Sequence, residues 1–164
     1  MAHCQDIFDR LKADHRRQRA LLDRLGGDAE PGSERRELFE AFTFEAKAHA
    51  AAEEQALYST ILRKPALTAC GRHSVAEHRQ IEELLNDLAA TDPGDARWLS
   101  KFRQLDQRYR HHIDEEETEM FPRFDEVLTD EDAIYMRQVF ERRKPIETIK
   151  AEITPEPLEQ AEES

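Results

Sequence analysis

The chain has 164 residues, of which 38% are hydrophobic and 37% charged, and its formal net charge is −12. This length favours one domain with a real core, and the negative charge argues against a nucleic-acid or anionic-membrane partner, because phosphate groups would be repelled. The sequence contains neither an apolar run of the roughly 18 residues that a membrane span needs nor a signal-peptide pattern. Cys4 and Cys70 lie far apart without a CxxC spacing, so we expect free thiols in a reducing, cytoplasmic location.

Helical periodicity interrupted by short breaks predicts four long helices and a shorter fifth. In chain order they cover about residues 4–25, 33–64, 66–90, 96–124 and 130–143. Gly26 and Gly27 are expected to end the first helix in a left-handed cap, and Thr129 or Asp130 to cap the fifth. The fold predicted is all-α: an antiparallel, up-down-up-down four-helix bundle over residues 1–128. An additional helical segment at 129–150 would pack on the bundle, and residues 151–164 would form an acidic, flexible tail that frays over its last ten or so residues.

The sequence repeats itself at an offset of 63 residues. His15 corresponds to His78, His49 to His112, and Glu53 to Glu116. Apolar residues around these positions follow the same offset, for example Leu57-Tyr58 and Met120-Phe121. The two halves are therefore two copies of a helical hairpin, and each copy contributes the same three polar residues to the interior of the bundle.

These six residues predict a metal site. A lone histidine on an apolar helix face is usually a satisfied core residue, but an unpaired buried carboxylate costs several kcal/mol, of the order of ~5. The four-residue spacing of His49 and Glu53 places both side chains on one face, one turn or roughly 6 Å apart. Bound cations are the most natural compensation for the cost of burying four histidines and two glutamates in one core.

Imidazole with carboxylate and no thiolate suits iron, and also manganese or zinc. Two facing HxxxE helices can place two carboxylates as bridges between two metal ions, whereas a single structural zinc needs only four ligands. HExxH is absent, which excludes the common metalloprotease pattern, and CxxCH is absent, which argues against covalent haem.

The sequence resembles the hemerythrin-like, HHE cation-binding family over about residues 5–126. The resemblance rests on four stretches, DHRRQ, HAAAEEQALY, EHRQI and HIDEEETEMFP, which contain the six residues. It implies a non-haem di-iron centre with an oxo or hydroxo bridge, held by His15, His49, Glu53, His78, His112 and Glu116. Members of this family bind O2, sense oxygen or redox state, handle nitric oxide or peroxide, or store iron.

The sequence departs from the oxygen-carrying hemerythrins at one position. Those proteins have five histidine ligands, two of them one turn apart on the third helix, whereas here the residue one turn after His78 is Glu82. Glu82 either is an additional ligand or forms a salt bridge with Arg19. The extra carboxylate favours the ferric state, which argues against simple reversible O2 carriage.

Neighbouring residues receive plainer interpretations. His3, His73 and His111 are expected on the surface, and Glu54 and Glu117 behind the ligands or on the surface. For Glu117 a ligand role is a further alternative, since the oxygen-carrying hemerythrins use a five-residue spacing on one helix. Tyr58 and Phe121 are expected to pack at the end of the bundle, pointing away from His49 and His112, which lie nine residues before them.

The resemblance thus implies a di-iron protein that binds a small molecule, O2, NO or peroxide, in oxygen, redox or NO response or in iron handling. Binding is favoured over catalysis. The alternatives are a catalase- or peroxidase-like enzyme that detoxifies peroxide, an NO-handling oxidoreductase, and a metal-stabilised interaction module.

Overall fold

The structure is a computed structural model that describes residues 6–27 and 29–158. Its five main helices are α1 (Ile7–Gly26), α2 (Ser33–Glu53), α3 (Thr68–Ala89), α4 (Ala96–Glu115) and α5 (Asp130–Lys150). After α2 the chain continues through a π-helical turn, Glu54–Tyr58, into the short segment Ser59–Ile61. After α4 it continues through a second π-helical turn, Glu116–Met120, into Phe121–Val127. The predicted all-helical bundle with an extra C-terminal helix is confirmed, since the described part of the chain contains no strand.

Side chains at the helix ends explain where several helices begin. Asp6 caps α1 by accepting a hydrogen bond from the amide of Asp9 at 2.9 Å. Thr129 caps α5 in a capping box with Asp132, as the sequence predicts. The left-handed cap expected at Gly26-Gly27 is wrong, because Gly27 has a φ of −110°. Among the described residues a positive φ occurs at Gly32 (110°), which sits immediately before α2.

The fifth helix is longer than the sequence predicts. It was expected to end near Arg143, but it continues through Pro145 to Lys150. Proline fixes its own φ at a helical value and removes one amide donor, and packing of α5 against α1 and α2 supports the turns on both sides. Residues 151–158, part of the predicted tail, have no regular secondary structure. They contact α3, where the amide of Glu156 donates to the carbonyl of Asn86 at 3.0 Å. Residues 159–164 of that tail, like His3 and Cys4, lie outside the described residues.

Two apolar clusters fill the bundle. One, at the end near the start of α1, includes Ile7, Leu11, Leu57, Phe124 and Phe140. The other, toward the opposite end, is built around the residues Leu22, Phe42, Leu85, Trp98 and Phe102. The predicted metal-ligating residues lie along each helix between these clusters, so apolar layers close the polar layer from both ends. No helix in the described ranges is both long and apolar enough to span a bilayer.

Candidate metal centre

The four bundle helices bring all six predicted ligands together. The residues are His15 on α1, His49 and Glu53 on α2, His78 on α3, and His112 with Glu116 at the end of α4. All six are buried, and His15, Glu53 and Glu116 have no exposed surface. The 63-residue repeat therefore places two equivalent sets of side chains around one central layer.

Glu53 lies at the centre of this layer. Its Oε1 is 3.1 Å from His78 Nε2, and its Oε2 is 3.4 Å from His49 Nε2. The potential ligand atoms of the six residues fall into two compact groups, one of Glu53, His78, His112 and Glu116, the other of His15, His49 and Glu53. Because Glu53 belongs to both groups, its two oxygens face histidines of both halves of the repeat.

Glu116 is less central than its repeat partner. It contacts His112 Nε2 closely and lies 3.9 Å from His78 Nε2, both through Oε1. Its ligand atoms join one of the two groups only. The repeat predicts equivalent positions for Glu53 and Glu116, but only Glu53 lies in both ligand groups.

The polar atoms at the centre are buried without hydrogen-bond partners. They include Nε2 of His15, His49 and His78 and both carboxylate oxygens of Glu53 and Glu116. Each unsatisfied buried polar group costs about 1–3 kcal/mol, and charged groups cost more. A bound cation would satisfy these atoms together, since neutral imidazole nitrogens and carboxylate oxygens are ligands for iron, manganese and zinc. The residues present thus fit a metal centre.

A second layer of carboxylates faces the outer nitrogen of each histidine and is within hydrogen-bond distance of it in His49, His78 and His112. Asp14 lies 2.8 Å from His49 Nδ1 and Glu77 lies 3.1 Å from His112 Nδ1, two contacts related by the 63-residue repeat. Such contacts orient the rings and direct Nε2 toward the centre. Asp14 and Glu77 had no role among the sequence-based predictions, although an acid directly before His15 and before His78 was a visible signal.

Glu54 and Glu117 complete this layer. Glu54 Oε1 is 3.3 Å from His78 Nδ1, and Glu117 Oε2 is 3.5 Å from His15 Nδ1. These two glutamates are also related by the repeat, and each reaches a histidine of a neighbouring helix. Glu54 and Glu117 therefore lie behind the predicted ligands, against the outer nitrogens of the histidines.

The π-helical turns explain why aromatic rings also reach the histidines. A π-helical turn contains one extra residue, which rotates the subsequent residues by about 100° relative to a continuous α-helix. The Tyr58 ring lies 6.0 Å from that of His78, and the Phe121 ring 6.1 Å from that of His15. Both rings belong to the apolar cluster at the bundle end, as expected, and the histidines that they contact lie on other helices than the ones nine residues before them, His49 and His112.

The pKa shifts describe how the metal-free layer balances its charge. Burial opposes charge on His49, but Asp14 and Glu53 outweigh it and raise its pKa to about 9. Burial likewise opposes charge on His112, and Glu116 and Glu77 raise its pKa to about 9. Without metal, protons on these imidazoles offset the carboxylates; metal binding would replace the protons with cations.

Lys144 of α5 joins the layer around His49. Its side chain is largely buried, since the residue is only 8% exposed, and its Nζ donates to Asp14 Oδ2 at 2.7 Å and to Glu45 Oε2 at 2.9 Å. The same oxygen, Asp14 Oδ2, therefore accepts a hydrogen bond from Lys144 Nζ and contacts His49 Nδ1. Sequence patterns did not reveal this contact, because Lys144 lies 130 residues from Asp14 and outside the repeat.

Glu82, considered as an additional ligand, is exposed and belongs to neither group of potential ligand atoms. Its alternative partner, Arg19, instead pairs with Asp114 and Glu117, each at 2.7 Å. Of the three histidines expected on the surface, His73 and His111 are exposed and His3 lies outside the described residues.

A cavity of about 440 Å³ reaches the centre between α2 and α3. Its inner wall includes His49, His78, His112 and Tyr109. Charged side chains, among them Lys47, Arg79, Glu82 and Lys150, also line it. The segment after α5 contributes Ala151, Glu152 and Thr154. The centre is therefore closed by apolar layers along the bundle axis and reached from one side.

The fold and this layer define a helical bundle compatible with a bound cation. The chain matches the family model of the hemerythrin HHE cation-binding domain over residues 6–124, and so belongs to that family. It also resembles the crystal structure of a hemerythrin HHE cation-binding domain-containing protein from Mycobacterium kansasii, with a TM-score of 0.77 and 24% identity over 88% of each chain. That likeness supports the fold. No curated protein matches the chain significantly.

Proposed function

We propose that this protein holds two iron ions in the central layer and that its function is to bind O2 or a related small oxidant, in oxygen, redox or NO response or in iron handling. The observation that carries the proposal is Glu53, whose two oxygens face histidines of different ligand groups. One structural ion would leave part of the six-residue set unsatisfied, since a structural zinc takes four ligands.

The residues of the chain have distinct tasks in this proposal. His15 and His49 with Glu53 would hold one ion; His78 and His112 with Glu116 and Glu53 would hold the other. Asp14, Glu54, Glu77 and Glu117 keep the imidazole rings oriented through Nδ1. Bound iron would supply the redox and Lewis-acid chemistry.

The cavity between α2 and α3 supports a small-molecule ligand. It reaches three of the four histidines, and its volume of about 440 Å³ leaves ample room for a molecule of two to four atoms. The six residues also fill fewer than the roughly twelve coordination positions that two octahedral ions offer. Positions would therefore remain for an exogenous ligand beside the cavity.

The experiment is rapid mixing of iron-loaded, reduced protein with O2, NO or hydrogen peroxide while the absorption spectrum is recorded. We expect at least one of them to change the iron-dependent bands within the mixing experiment. Ala50→Phe, which would narrow the cavity at a residue of its wall, should slow that change without lowering the iron content. An unchanged spectrum with all three molecules would contradict the proposal and leave a metal-stabilised interaction module.

The same cavity favours a second candidate, an enzyme that breaks down peroxide. Catalysis needs repeated entry and exit, and the lateral opening provides a route that the closed bundle axis does not. An oxygen electrode would measure O2 release from peroxide. Sustained release from the iron-loaded protein, lost in His78→Ala, would establish catalysis; oxidation of the iron without turnover would leave a binding or sensing role.

A further inference from the structure

A second pair of HxxxE motifs faces outward beside the central layer. His73 and Glu77 are one turn apart on α3, and His111 and Glu115 are one turn apart on α4. The imidazoles are exposed, His73 by 51% and His111 by 66% of the side chain, whereas the Glu77 side chain is only 4% exposed. These four residues, which we call the outer cluster, are not part of the six-residue centre.

The spacing within the outer cluster suits a metal ion. His73 Nε2 lies 3.1 Å from Glu77 Oε1 and 3.2 Å from Glu115 Oε1. His111 Nε2 lies 3.3 Å from Glu115 Oε2. A zinc ion holds nitrogen and oxygen ligands at about 2.0–2.2 Å, which places neighbouring ligands of a tetrahedral site roughly 3.3 Å from one another. His73, Glu77 and Glu115 already approach this spacing, and His111 lies beside them, against the same Glu115 carboxylate.

In the first half of the repeat, the position that corresponds to the outer cluster is occupied by cationic side chains of the chain itself. There, Asp14 corresponds to Glu77, and it binds Lys144 Nζ at 2.7 Å and Arg10 Nη1 at 2.5 Å. Ala48 and Ala52 stand where His111 and Glu115 stand in the second half. α5 covers the first position, whereas the second exposes two imidazoles.

The contacts of Glu77 and Glu115 are consistent with an external ion. Their ion pairs run to histidines: Glu77 to His73 and His112, and Glu115 to His73 and His111. Neutral imidazole is a metal ligand, whereas it offsets a carboxylate only when protonated. A divalent ion in the outer cluster would therefore take the place that the lysine and arginine occupy around Asp14.

We propose that His73, Glu77 and Glu115 form a third, surface-accessible site for a divalent transition metal such as Zn²⁺ or Fe²⁺, completed by a rotation of the exposed His111 side chain toward the ion. Glu77 Oε1 contacts both His73 Nε2 and His112 Nδ1, so the ion would lie one carboxylate away from the central layer. Binding at the outer site depends on its own four ligands and does not require that the central ions be iron.

The experiment compares bound metal in the full-length wild-type protein and in His73→Ala/His111→Ala after equilibration with Zn²⁺. Ions per chain are counted after removal of free metal, and cobalt(II) is used in parallel because its visible absorption reports tetrahedral coordination. We expect the wild type to hold one ion more than the double variant. The double variant should keep the central ions and lose at least tenfold in affinity for the additional one.

Glu83→Gln is the matched control, because Glu83 is an exposed glutamate on the same helix as Glu77 and outside the outer cluster. It should bind as many ions as the wild type. Equal ion counts in wild type and double variant would overturn the outer site, whatever the central layer contains. Anomalous scattering from zinc-soaked crystals would place the additional ion between α3 and α4 if the proposal is right, and elsewhere if the ion is adventitious only.

Discussion

Replacement of Lys144 by methionine tests the link between α5 and the central layer. The substitution keeps the length of the aliphatic chain and removes an ammonium group that contacts Asp14 at 2.7 Å and Glu45 at 2.9 Å. Breaking a buried ion pair by removing one partner costs about 3–5 kcal/mol. Arg10 still pairs with Asp14, and Arg17 lies 3.4 Å from Glu45, so we expect the lower end, about 3 kcal/mol. For a chain of this size that corresponds to a fall in Tm of roughly 6–12 °C.

The assay is urea unfolding of the metal-free protein, followed by circular dichroism, with thermal unfolding in parallel. Lys150→Met is the control, because Lys150 lies exposed at the end of the same helix, and surface substitutions usually change stability by less than about 0.5 kcal/mol. Addition of Glu45→Gln to Lys144→Met should recover part of the loss, because it removes one of the two buried carboxylates that Lys144 no longer contacts. A loss for Lys144→Met no larger than for Lys150→Met would refute the buried contact.

Three further predictions concern the central layer. Glu53→Ala should reduce bound metal more than His15→Ala, because Glu53 belongs to both ligand groups; elemental analysis measures this, and equal losses would contradict the shared position. In the metal-free protein, the raised pKa of His49 and of His112, each about 9, contributes stability that is fully present below about pH 6.5 and is lost as the pH rises through 9. Urea titrations between pH 6 and 10 should therefore show declining stability, and a constant value would count against the shifts. Removing metal with a chelator should lower the stability by about 2.7 kcal/mol relative to protein held at a metal concentration 100 times its Kd; an unchanged Tm would mean that the folded state binds no metal.

Much of the candidate site could be predicted because the repeat is written in the sequence. The 63-residue offset selects His15 and His78, His49 and His112, and Glu53 and Glu116 without any knowledge of the fold. Helical periodicity then places them on inward faces, and short loops order the helices as an antiparallel bundle. The capping residue Thr129 could also be predicted, because a helix cap is a local interaction within four residues.

Features that the sequence did not reveal depend on contacts between distant residues or on departures from the α-helix. The contact of Lys144 with Asp14 results from the docking of α5, which no short pattern encodes. The π-helical turns change the direction of the residues that follow the ligands, and Tyr58 and Phe121 lie beside His78 and His15 of other helices. The continuation of α5 past Pro145 likewise reflects packing that outweighs a local breaking signal.

The most direct test of the di-iron centre is iron quantification per chain combined with low-temperature Mössbauer spectroscopy of the iron-loaded, oxidised protein. We predict two irons per chain with a common diamagnetic ground state, because the shared Glu53 would hold both ions close enough to couple magnetically. One iron per chain, or two that behave as independent paramagnetic ions, would contradict a centre built around Glu53.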